Sequence, residues 1–210
     1  MDATTTQFFN TMLALQDSMN TRVSEQWRAN NNPWYRAVWT ECAEMLDHYG
    51  WKWWKQQTPD WDQIQLELVD IWHFGLSMAL QNHQSQEEAL EFIISSWSTP
   101  ASATDPEPFR DLVDTLAQTA LSDHRFNFAA FQGLLTHAGM SLTQLYRLYI
   151  GKNVLNFFRQ DHGYKTGDYQ KVWGGREDNE WLSEILSELD STQPNFQEAV
   201  YDALEKAYPA

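Results

Sequence analysis

The chain has 210 residues, enough to bury a substantial core, and reads as one domain. Its 11 Trp, 11 Phe and 8 Tyr exclude a disordered segment. A formal net charge of -15 excludes a nucleic-acid polymer as partner, because phosphate backbones are held by clustered cations.

The single cysteine, Cys42, permits no intrachain disulfide and suits a reducing compartment. It reads as a small helix-packing residue rather than a nucleophile. The first residues lack the basic stretch and apolar run of a signal peptide, and no segment approaches the ~20 apolar residues that span a bilayer. A soluble, cytoplasmic protein with no membrane partner is expected.

Helical spacing runs through most of the chain, with no convincing set of alternating strands. Residues 5–22 repeat apolar positions at Phe9, Met12, Leu13 and Met19. The run Asn30-Asn31-Asn32-Pro33 breaks this pattern and sets Pro33 at the first position of a second helix, over 33–49, which Gly50 ends. The cluster Trp51-Lys52-Trp53-Trp54-Lys55 follows as a loop or short turn. A third helix is expected over 61–82 and a fourth over 85–97. Three prolines among small polar residues mark 98–108 as a loop. Further helices are expected over 108–122 and 126–138, with residues of about 83–150 a candidate mobile subdomain. Ser141 and Gln144 have the spacing of a capping box opening a long helix to about Gln160. Gly163, Gly167, Gly174 and Gly175 then suggest a flexible, basic loop, and two last helices begin near Glu177 and Pro194.

Two acidic steps stand on the second and third helices, Glu41-Cys42-Ala43-Glu44 and Glu67-Leu68-Val69-Asp70. In each, two carboxylates one turn apart project from one face. Taken singly, such a step is an ordinary solvated helix face. Here Leu46, Leu66, Leu68, Val69, Ile71 and Trp72 crowd the acids, and both helices carry few other charges. Four carboxylates brought together would repel one another without a cation. Hard oxygen ligands of this kind suit Mg²⁺, which completes its shell with waters and substrate phosphates. Asp47 is left outside this group. Asp70-Ile71-Trp72-His73 resembles one carboxylate-x-x-His element of a di-iron bundle, which needs that element twice. His73 therefore reads as a hydrogen-bonded packing residue, and iron is the weaker choice.

Cations concentrate elsewhere. Lys152, Arg159, Lys165, Lys171 and Arg176 lie in a stretch whose only acids before Glu177 are Asp161 and Asp168. Lys152, Asn156 and Arg159 share a helix face, where a triphosphate would meet a point charge, an amide and a bidentate guanidinium. The alternative is that these cations merely offset an acid-rich surface. No P-loop pattern is present.

Together these residues resemble the dimeric, all-α dUTPase family, which includes phage dCTPase/dUTPase enzymes and is related to the MazG-like all-α NTP pyrophosphatases. The resemblance rests on three blocks. They are Leu15-Gln16-Asp17-Ser18-Met19-Asn20, the two acidic steps with the tryptophan turn between them, and the segment from Lys152 through Gly163-Tyr164-Lys165 and Trp173 to Glu177-Asp178-Asn179. It implies an all-α helical bundle with a rigid metal-binding core and a more mobile helical portion. It implies Mg²⁺-dependent hydrolysis of dUTP to dUMP and pyrophosphate by a homodimer, with dUDP and dCTP as further candidate substrates. Glu41, Glu44, Glu67 and Asp70 match the ligands of about two or three Mg²⁺ ions. Gln16 and Asn20, by spacing alone a polar helix surface, match the amides that read uracil. Trp54 and its neighbours match the wall of the base, although Trp53 and Trp72 are as readily core residues. Lys152, Arg159, Lys165 and Lys171 match phosphate contacts, and Asn156, Tyr164 and Asn179 match positions near sugar and phosphates. A broader dCTP or dNTP pyrophosphatase and a non-catalytic, nucleotide-sensing helical protein are the alternatives.

Overall fold

In the computed structural model, which describes residues 2–97, 108–191, 193 and 195–209, the chain is all-α apart from one short hairpin. The expected fold class is borne out. The chain divides into two compact units, Met1–Leu145 and Tyr146–Ala210. The expected loop at 98–108 lies, apart from Pro108, outside the described residues, as does Pro194.

The first unit holds α1 (Ala3–Val23), α2 (Trp34–Tyr49), α3 (Trp61–Asn82), α4 (Gln86–Trp97), α5 (Phe109–Asp123) and α6 (Phe128–His137). Asp2 caps α1 by accepting from the Thr5 amide at 2.7 Å, and Asp60 caps α3 by accepting from Gln63. Pro33 sits one position earlier than expected, as the residue preceding α2. Gly50 ends α2 as expected, at φ 91°, a conformation that L side chains rarely adopt. α3 is the centre of this unit. Ile64, Leu68, Val69, Ile71, Trp72, Leu76 and Leu80 are fully buried along one broad face, and Glu67, His73, Ser77 and Met78 are buried on the other sides, the mark of a core helix rather than a surface one. It packs along α2, and α1, α4 and α6 cover its remaining sides. The Trp72 ring stacks on Phe131 at 5.2 Å and meets Phe9 and Trp97 at an angle. Polar groups carried on so buried a helix must find partners or cause strain, and Glu67, His73 and Ser77 are such groups.

α7 (Leu142–Asp161) opens with the expected capping box. The Gln144 side chain accepts from the Ser141 amide at 2.9 Å, and the Ser141 hydroxyl accepts from the Gln144 amide at 3.2 Å. The second unit contains most of α7, a 3₁₀ turn (Tyr164–Thr166), β1 (Val172–Trp173), β2 (Arg176–Glu177), α8 (Asp178–Glu188) and α9 (Phe196–Ala207). The glycine-rich stretch expected as a flexible loop holds the 3₁₀ turn between Gly163 and Gly167 and then a hairpin. Val172 pairs with Glu177 and Trp173 with Arg176, across a turn in which Gly174 and Gly175 both take positive φ. That is the tight turn whose twist suits antiparallel strands. Phe158, Trp173, Leu182, Leu186, Val200 and Leu204 form the core of this unit.

Candidate functional site

Three of the four expected carboxylates come together. Because α2 lies along α3, Glu41, Glu67 and Asp70 each place an oxygen within 4.8 Å of the others. Glu67 is buried. Glu44, one turn after Glu41, is exposed and outside this trio. Its charge still reaches Glu41. Asp47 is exposed, accepting from the Trp51 indole at 2.9 Å and lying 3.6 Å from Lys52 Nζ.

Burial drives the Glu41 carboxyl up from its ordinary 4.5 to about 9, helped by a hydrogen bond to Glu67 and by the charges of Asp70, Glu67 and Glu44. Glu41 thus holds a proton at neutral pH when no cation compensates the cluster. A basic group also reaches the trio: His48 Nε2 lies 3.5 Å from Glu67 Oε1. Sequence spacing gave no signal for this contact, because it joins α2 to α3. Cys42 is buried beside the trio, and burial and the Glu41 charge push its thiol up to about 12, consistent with an inert packing residue. His73 is not among the clustered acids.

Gln16 and Asn20 are buried where α1 meets α3, contrary to the polar-surface expectation from spacing alone. The Gln16 amide donates to Asn20 Oδ1 at 3.0 Å, and Asn20 Nδ2 donates to the Ser77 hydroxyl at 3.0 Å. Gln16 Oε1 lies 2.7 Å from His73 Nδ1, and the Ser77 hydroxyl donates to the His73 carbonyl at 3.0 Å. The tryptophan turn is instead open to solvent. Trp53 is 89% exposed, so a core role for it is excluded, whereas Trp72 is fully buried. Trp54 lies against both Trp51 and Trp53, with centroids 5.3 and 5.2 Å away.

In the second unit the cationic residues surround a buried acid that the sequence reading had not singled out. Asp178, at the first position of α8, accepts from Arg159 Nε and Nη2, both at 2.8 Å, and from the Tyr169 hydroxyl at 2.9 Å. Burial alone would raise its pKa. The Arg159 guanidinium, the Tyr169 hydroxyl and the nearby Lys152 outweigh burial and hold it below the ordinary carboxylate value. Arg159 also donates to Asn156 Oδ1 at 3.3 Å, and its guanidinium lies 5.9 Å from the Tyr164 ring centre. Lys152 is buried and donates to Asn179 Oδ1 at 2.9 Å. Lys165 is exposed on the 3₁₀ turn, and the exposed Lys171 pairs with Glu177 at 3.2 Å. Lys152, Asn156, Arg159, Tyr164 and Asn179 therefore form one network.

No described helix is long and apolar enough to cross a membrane. No curated protein matches the chain. A family model described as dUTPase matches residues 8–164, about three-quarters of the chain. The matched span contains the acidic trio, Gln16, Asn20 and the tryptophan turn, and it ends at Tyr164, before Lys165, Lys171 and Asn179.

Proposed function

Because this chain belongs to the all-α dUTPase family and is a dUTP diphosphatase, we propose that its carboxylate cluster holds Mg²⁺ and that hydrolysis to dUMP and pyrophosphate depends on it. The observation that carries this reading is the trio Glu41, Glu67 and Asp70, with oxygens within 4.8 Å of one another, where burial and the neighbouring carboxylates push the Glu41 carboxyl up. A donor set made only of carboxylates and at least partly buried fits a hard divalent cation. Glu44 is the fourth candidate ligand, and about two or three ions are expected. Mg²⁺, when bound, supplies neutralisation of the triphosphate charge and a lowered pKa for water.

The chain's own groups carry the remaining steps. Glu41 accepts a proton from the attacking water, which requires that its own proton has first been displaced. The water oxygen bonds to the β-phosphorus, as the family resemblance suggests. The bond from that phosphorus to the α-phosphate oxygen breaks, and dUMP leaves with its electron pair. Lys152, Arg159, Lys165 and Lys171 contact phosphates and stabilise the developing charge. Asn156, Tyr164 and Asn179 serve the sugar and phosphates, Gln16 and Asn20 read the uracil edge, and Trp54 walls the base. The assignments of Lys165, Lys171 and Asn179 rest on the resemblance alone, since the family match stops before them. A cytoplasmic homodimer and a single domain over 1–210, with a mobile portion near 83–150, belong to the same reading. The exposed tryptophan turn supports an aromatic contact with a second copy.

The test is pyrophosphate release from dUTP, dUDP, dCTP and the ribonucleotides, with and without Mg²⁺. Turnover of dUTP that vanishes without a divalent cation is expected. Undiminished turnover in a chelator would reject the metal role, and equal turnover of dCTP would replace this reading with the broader pyrophosphatase.

A further inference from the structure

We propose that Ser77 and His73 are positioning residues that lock the orientation of the Gln16 and Asn20 amides and so make this site select uracil over cytosine. This rests on the base-reading role given above to those amides. The difficulty it answers is physical. A carboxamide has a donor side and an acceptor side that exchange when it flips. An amide oriented one way matches the N–H and carbonyl of a uracil edge, and flipped it matches the ring nitrogen and amino group of cytosine. Two amides free to turn together would discriminate poorly.

They are not free to turn in this chain. The Ser77 hydroxyl commits its hydrogen to the His73 carbonyl one turn earlier on α3, at 3.0 Å. Towards Asn20 it can then only accept, so Asn20 turns its Nδ2 to Ser77 and its Oδ1 to Gln16. Gln16 in turn presents Nε2 to Asn20 and Oε1 to His73, at 2.7 Å. An amide oxygen cannot donate, so His73 Nδ1 carries the proton in this contact. The polarity of the relay is thus set by α3 at the Ser77 end, and the tautomer of His73 that completes it follows. Reversing both amides would break the bond from Ser77 to its helix carbonyl and require the other tautomer of His73. All four side chains are buried, so a broken link cannot be repaired by bulk water.

The experiment measures kcat/KM for dUTP and dCTP with the full chain and Mg²⁺. Ser77→Ala, which removes only the hydroxyl oxygen, should lower the dUTP-over-dCTP ratio by about tenfold, with KM changing more than kcat. His73→Phe should do the same. His73→Asn, which keeps a donor near the position of Nδ1, should retain most of the ratio. Wild-type ratios in both Ser77→Ala and His73→Phe, even with lowered melting temperatures, would reduce the relay to packing and overturn the proposal. Gln16→Ala separates the two kinds of failure. If the ratio collapses there while Ser77→Ala and His73→Phe keep it, the lock alone is rejected. If it survives in Gln16→Ala, base reading by this amide is rejected and the lock with it. Should Ser77→Ala not fold, His73→Phe against His73→Asn decides the matter.

Discussion

Two acidic centres, one in each unit, hold carboxylates out of water and treat them in opposite ways. Asp178 is completely buried yet held below the ordinary carboxylate value, because Arg159 and Tyr169 satisfy its oxygens and Lys152 adds positive charge. Glu41 is only partly buried yet is pushed up to about 9, because its nearest charged neighbours are other acids. Burial depth therefore does not set the protonation state of either group. The dominant neighbours are cationic and hydroxyl donors at Asp178 and other carboxylates at Glu41. A carboxylate compensated within the fold stays ionised without outside help; one crowded by other carboxylates favours a cation brought from outside.

The contrast is broken most severely by neutralising each centre in turn. Glu41→Gln removes the proposed base and a ligand while relieving repulsion, so turnover of dUTP should fall by about a thousandfold or more. The metal-free melting temperature should hold or rise. Pyrophosphate release and thermal melts measure both, and wild-type turnover in this variant would remove Glu41 from the chemistry. Arg159→Met should do the reverse to the fold. It leaves Asp178 buried without its bidentate partner, which should destabilise the second unit by about 3–5 kcal/mol. Urea unfolding checks this. Adding Asp178→Asn to Arg159→Met should recover part of the loss, since the stranded charge is then gone.

The sequence reveals these two centres unequally. The bounds of α3 at Trp61 and Asn82, the stop at Gly50 and the Ser141–Gln144 box follow from local periodicity and capping chemistry, which the sequence carries directly. The acidic steps are legible for the same reason, since one-turn spacing is local. What joins Glu41 to Glu67 and Asp70, and leaves Glu44 at the surface, is the way α2 lies on α3, which spacing within one helix cannot report. The burial of Gln16 and Asn20 is likewise set by α3, whose His73 and Ser77 meet a polar stretch of α1. Asp178 was hidden because its partner Arg159 lies on another helix. The hairpin was hidden because strands of two residues are too short to alternate, and only the Gly174-Gly175 pair marks it.

The smallest effect per step, and the one that sharpens the contrast most, is the change of stability with each pH unit. Glu41 titrates at its ordinary 4.5 in the unfolded chain and at about 9 in the metal-free fold. Between those values the folded chain holds the extra proton, so metal-free stability should fall as pH rises from 5 to 9. The slope has a ceiling of about 1.4 kcal/mol per pH unit for one proton, reduced by solvent screening at a partly exposed group. Asp178 behaves oppositely. Its lowered value gives stability that is complete above the ordinary carboxylate range and is lost as pH falls through and below it. Saturating Mg²⁺ should flatten the alkaline limb, because a bound cation displaces the Glu41 proton, and should leave the acid limb of Asp178 in place. Thermal melts across pH, with and without Mg²⁺, separate the two limbs. Glu41→Gln should abolish the alkaline slope alone; a slope that persists in that variant would assign the retained proton to another group.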